Sequence, residues 1–73
     1  MQHTYTTQAQ IRAAFWAAFP ELPRRMVKAA PGLYRRATQN EYPTDTRCAF
    51  VDFVDALARN GDISEALAGR VTL

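Results

Sequence analysis

Asp52 and Asp55 are the residues of this chain whose type and spacing come nearest to a catalytic arrangement, two carboxylates three positions apart. Acid–base work needs such a pair in a shaped site, with a further group to orient one of them. Here the spacing sets both on the outer face of a helix, in line with Asp45 and Arg59, and no second acid or base motif accompanies them. They read as a solvated surface. Cys48, the one cysteine, precedes Asp52 by a turn of the same helix. A thiol becomes a nucleophile when nearby positive charge lowers its pKa, and aspartate neighbours act the other way. Cys48 therefore reads as a small filler or a bystander. His3 stands in a polar N-terminal stretch. One histidine and one cysteine so far apart offer no metal site, and three isolated glycines make no phosphate-cradling loop. The expectation is a protein that is not an enzyme and needs no metal or cofactor.

Charge is more informative than any motif. Residues 1–40 hold six Lys/Arg and one Glu, a net +5, whereas residues 41–73 hold three Arg and six Asp/Glu, a net −3. Arg24, Arg25, Lys28, Arg35 and Arg36 crowd into one segment with Tyr34 among them. Such a segment is either a solvated loop whose arginine stems lie on apolar surface, a patch for an acidic protein surface, or a contact for nucleic-acid phosphates. Trp16 adds an aromatic. At about 100° per residue it lies about 140° from Ile11, beside Ala9 and Ala13 and off the main apolar stripe. It is either covered by the middle segment or left as an anchor for a partner, a role in which tryptophan is enriched. The candidate contact residues are Arg24, Arg25, Lys28, Arg35, Arg36, Trp16 and Tyr34, with Asp45, Asp52 and Asp55 as a secondary acidic patch.

The elements that must position these residues read as helical. After a loose polar arm, residues 1–6, Thr6 or Thr7 caps a helix over about 7–19 that ends before Pro20. Ile11, Ala14, Phe15, Ala18 and Phe19 follow its i, i+3, i+4, i+7, i+8 stripe. Prolines 20, 23, 31 and 43 then break the pattern. A short helix over about 22–30, with Leu22, Met26 and Val27 on its apolar side, is expected to stop at the Pro31-Gly32 turn. Thr44 caps a long helix over about 44–60, with Phe50, Phe53, Val54 and Leu57 inside. Asp55 and Arg59 form an i, i+4 pair on its outside. Asn60-Gly61 stops it. Asp62 caps a last helix over about 62–70, with Glu65 completing a capping box and Ile63, Ala66 and Leu67 facing inward. The fold class expected is all-α, one small domain of three to four helices with a proline-broken middle. A DNA-reading role for the final helix pair is disfavoured, because Asp62 and Glu65 would meet phosphates at its leading end.

Seventy-three residues bury a thin core, and with one cysteine no disulfide can reinforce it. Helix packing, self-association or a partner must do so. The first ten residues show no export signal, and the apolar runs Ala13–Phe19 and Cys48–Val51 are too short to cross a membrane. The expected compartment is the cytoplasm, with no membrane partner.

The opening Thr4-Tyr5-Thr6-Thr7-Gln8-Ala9-Gln10-Ile11-Arg12-Ala13-Ala14-Phe15-Trp16, the stretches Tyr42–Arg47 and Phe50–Asp55, and the closing Gly61–Leu73 resemble small uncharacterised bacteriophage, prophage and plasmid proteins of Proteobacteria. The basic segment 22–41 lies outside the resemblance. It implies a bacterial host and, by class, an anti-CRISPR-type anti-defence protein. Such a protein binds and inhibits a host complex stoichiometrically, here a CRISPR–Cas effector or other nuclease. Two alternatives stand beside it. One is a nucleic-acid-binding accessory or regulatory protein using residues 24–36. The other is a virion or replicon assembly protein acting as a homodimer through Trp16.

Overall fold

The computed structural model describes residues 3–22, 24 and 26–73. Helix α1, Gln8–Ala18, starts at Thr7, whose hydroxyl accepts from the Gln10 N–H while the Gln10 side chain accepts from the Thr7 N–H, a closed capping box. Helix α2, Thr44–Arg59, follows Pro43, so Thr44 is its first helical residue and makes no side-chain cap. Its C-terminus is a Schellman motif: Asp62 N–H donates to Leu57 C=O at 2.9 Å and Gly61 N–H to Ala58 C=O at 3.2 Å. Gly61 takes the left-handed conformation this needs, φ +79°. Asn60 does not. Helix α3 is only Glu65–Ala68, shorter than the expected 62–70, and its cap is Ser64, whose Oγ accepts from Leu67 N–H at 3.1 Å. Asp62 is occupied elsewhere. Its carboxylate accepts from the Thr4 hydroxyl at 2.7 Å, its carbonyl accepts from Tyr5 N–H at 3.0 Å, and His3 Nδ1 lies 2.9 Å from the Gly61 carbonyl.

The middle of the chain overturns the all-α expectation. In place of a helix over 22–30 there are two antiparallel strands, β1 Met26–Ala30 and β2 Leu33–Arg36, so the fold is mixed, three helices and a two-stranded sheet rather than a helical bundle. The reason is the Pro31-Gly32 turn. Proline fixes its own φ near −65° and Gly32 supplies φ +75°, the pairing of a type II turn. That reverses the chain within two residues and sets β2 alongside β1 as a hydrogen-bonding partner. A nine-residue helix between prolines offers much less, because nucleation is costly and short helices depend on packing. A type II turn splays strands with the normal twist. The register accordingly shifts between Lys28 and Ala30, leaving Ala29 as an extra residue in β1.

The core lies between the helices. Ile11 and Phe15 of α1 meet Phe50, Val54 and Leu57 of α2, and Ile63, Leu67, Val71 and Leu73 close it from the C-terminal side. Phe15 is the hub, with ring centroids 5.2 Å from Phe50 at 89° and 5.7 Å from Phe53 at 64°, edge-to-face geometries that aromatic quadrupoles favour. Ala14, Ala18 and Ala66 of the expected stripes are not fully buried. A single 3-10 turn, Gln39–Glu41, leads from β2 to α2. The hairpin adds almost nothing to the core: Val27 is half-buried against it and every other residue of both strands is exposed. It projects from the helical base. The molecule measures 46 × 21 × 19 Å with a radius of gyration of 13.2 Å, against about 11 Å for a compact chain of this length. No helix is long and apolar enough to cross a membrane among the described residues.

Candidate binding surface

The hairpin carries the largest exposed apolar side chains. Met26 and Leu33 are 60% exposed and Tyr34 59%. Strand pairing decides what stands beside what. Lys28 is opposite Tyr34 and Met26 opposite Arg36, on one face; Val27 is opposite Arg35 on the other. Cations and apolar groups therefore alternate over the same small area. An element buried in a core would not need these side chains, and one serving only as a connection would not expose them.

Arg35 has a different task. Its two Nη atoms donate to the two Glu41 carboxylate oxygens at 2.9 and 3.2 Å, and Nη1 also donates to Arg36 C=O at 3.1 Å. Glu41 Oε1 accepts in addition from the Thr38 N–H and hydroxyl, each at 2.9 Å. This strut ties the outgoing strand to the turn before α2. The Arg35 hydrogen bonds, then the two from Thr38, hold the Glu41 carboxyl down to about 2, and Glu41 in turn raises Arg35. It is the one ion pair among the described residues, so the expected Asp55–Arg59 pair does not close.

Behind the hairpin root is a cavity of about 190 Å³. Arg12, Arg24 and Arg36 stand around it, over Trp16, Tyr42 and Leu73. Trp16 is half-buried. Its ring lies 5.0 Å from Phe15 edge-on and 5.5 Å from Tyr42, and the Arg24 guanidinium lies over it at 5.9 Å from the centroid. The middle segment thus partly covers the indole and leaves the rest facing the cavity. Arg12 is placed by Gln8 Oε1 at 3.3 Å and Thr72 C=O at 2.9 Å. Burial, then repulsion from Arg36, lowers its pKa from the usual arginine value.

Of the residues singled out from the sequence, Arg24, Arg36 and Trp16 meet at this cavity, Lys28 and Tyr34 meet on the hairpin, and Arg35 is spent on Glu41. Arg25 lies outside the described residues. Asp45, Asp52 and Asp55 are exposed along α2. Asp52 shares an open hollow of about 340 Å³ with Gln39, Thr44, Arg47, Cys48 and Val51, so the thiol has a cation as well as a carboxylate beside it. Arg12 and Tyr42 were missed. Arg12 precedes Trp16 by one helical turn, and that spacing was the available signal.

No family model, curated protein or solved structure matches this chain. No match therefore supports the resemblance to phage, prophage and plasmid proteins, or the anti-CRISPR activity it implies. What the fold and surface define is a class, a small helical base that presents a cationic and apolar β-hairpin.

Proposed function

We propose that this chain is a non-catalytic binding module that docks its hairpin on an acidic, partly apolar surface of a partner protein and acts by occupying that surface. The observation that carries this is the exposure of Met26 and Tyr34 beside Arg36 and Lys28 on one face and of Leu33 at the turn end, each about 60%, on an element that contributes little to the core. An apolar centre rimmed by charge is the anatomy of a protein contact. A ribbon made only for phosphates would carry cations in place of Met26 and Leu33. The same charges argue against hairpin-on-hairpin pairing of two copies, since that contact brings two cationic faces together.

Nucleic acid is the second reading, favoured by the ribbon shape, since the DNA major groove admits a two-stranded β-ribbon. A gel shift with random DNA and RNA at two salt concentrations separates the two. The protein-docking reading expects no retardation at physiological salt. Strong binding that collapses as salt rises would replace it with the nucleic-acid reading.

A further inference from the structure

We propose that the cavity at the hairpin root is a binding site for a phosphate-type oxyanion, held by the guanidinium groups of Arg12, Arg24 and Arg36. The site shares Arg36 with the docking face, but Arg12 and Arg24 lie off the strands, and the proposal does not rest on the docking reading.

Three cations converge on one small cavity, and no carboxylate pairs with any of them among the described residues. Each is brought there by a different part of the chain: Arg12 by α1, Arg24 by the connection to β1, Arg36 by the end of β2. Arg12 is tied down by two neutral oxygens, the Gln8 side chain and the Thr72 carbonyl, neither of which offsets its charge. Ala37, next to Arg36, is 1% exposed and fixes the backbone there. Arg24 rests over the indole, an attraction that survives partial exposure. The folded chain therefore holds like charges together and leaves the opposite charge to be supplied. Arginine is the residue suited to this, because its planar fork bonds two oxygens of a phosphate at once. The volume sets the ligand class. About 190 Å³ falls below the roughly 300 Å³ at which pockets enclose drug-sized molecules. It suits a small oxyanion, either free phosphate or the phosphoryl end of a small ester. The indole of Trp16 and the phenol of Tyr42 form apolar walls of the cavity.

Trp16 is the only tryptophan, so its fluorescence reports from the cavity wall without a label. The test titrates the full chain with inorganic phosphate, and in parallel with glycerol phosphate, at constant ionic strength with chloride as the control anion. A saturable emission change with a midpoint of about 1 mM is expected from one or both phosphates, with none from chloride. Response to inorganic phosphate alone identifies a free-anion site; response to both identifies a phosphoryl site open to esters. Arg36→Gln should weaken the midpoint about tenfold. It should leave the circular dichroism spectrum and melting temperature unchanged or improved, because the Arg36 side chain makes no hydrogen bond or ion pair among the described residues and repels Arg12. Arg24→Gln gives an independent second variant. Identical titrations with phosphate and chloride, or a phosphate response unchanged in both variants, would overturn the proposal.

Discussion

Replacing Gly32 with alanine isolates the hairpin from the rest of the fold. Gly32 sits at φ +75°, and a Cβ built there meets nothing within 4 Å. The whole cost is therefore backbone strain, about 1–2 kcal/mol for a side chain forced into left-handed geometry. The hairpin rests on the helical base through little more than Val27 and the Arg35–Glu41 strut, so that strain should appear as local opening. Hydrogen exchange is the assay. Amides of β1 and β2 should lose protection about 5- to 30-fold, the Boltzmann equivalent of that cost, while α2 amides and the melting temperature stay as they were. Gly61→Ala is the matched control. It has the same kind of conformation, φ +79°, and the same open space, but it closes the Schellman turn between α2 and α3. The same strain there must be felt globally, as a fall in melting temperature of roughly 4–16 °C. If Gly32→Ala left β1 and β2 protection unchanged, or lowered α2 protection equally, the separation of hairpin from base would be wrong.

Acid should release the strut. The Glu41 pKa is depressed to about 2 in the folded chain against about 4.3 unfolded. Its contribution is complete above the unfolded value and is lost as pH falls through the folded one. Hairpin protection should therefore decline between about pH 4.5 and 2, and Glu41→Gln should show the weakened hairpin at neutral pH with no further acid step in that window. Phe50→Ala removes a 2%-exposed ring that packs edge-on against Phe15, at a cost of about 3–5 kcal/mol. A chain of this length has about 4–11 kcal/mol in total, so urea unfolding should show a much lower midpoint or no folded baseline.

The parts of the fold legible in the sequence are those fixed locally or by burial on one face. The Thr7–Gln10 box, the Ile11/Phe15 and Phe50/Val54/Leu57 stripes and the Asn60-Gly61 stop all depend on neighbours within a turn or two. Two caps were misread because several residues could serve: Thr44 stood where Pro43 already precedes the helix, and Asp62 was drawn off by Thr4 and Tyr5, leaving Ser64 to cap. The hairpin was illegible for a different reason. A strand announces itself by alternation when one face is buried, and here neither face is, so β1 and β2 alternate nothing. The Pro31-Gly32 turn was visible, and the runs on either side of it were the signal for a hairpin. Without burial to set a period, Met26 and Val27 were read as part of a helix. The cavity was partly legible. Trp16 with Ala9 and Ala13 marked the right face of α1, but Arg36, Tyr42 and Leu73 reach it only through the tertiary fold.

The measurement that most directly tests the hairpin as the docking element is the dissociation constant of a purified partner, first captured from native cell extract, for wild type and for two variants. One variant is Leu33→Ser with Tyr34→Ala on the hairpin. The other is Asp45→Asn, Asp52→Asn and Asp55→Asn on α2. Both sets are exposed, so neither should change stability by more than about 0.5 kcal/mol per site. The hairpin variant should bind at least about 30-fold more weakly, the loss of one hot spot of about 2 kcal/mol, and the α2 variant should bind as wild type does. An unchanged constant for the hairpin variant, with a loss in the α2 variant, would contradict the account and move the contact to the acidic face.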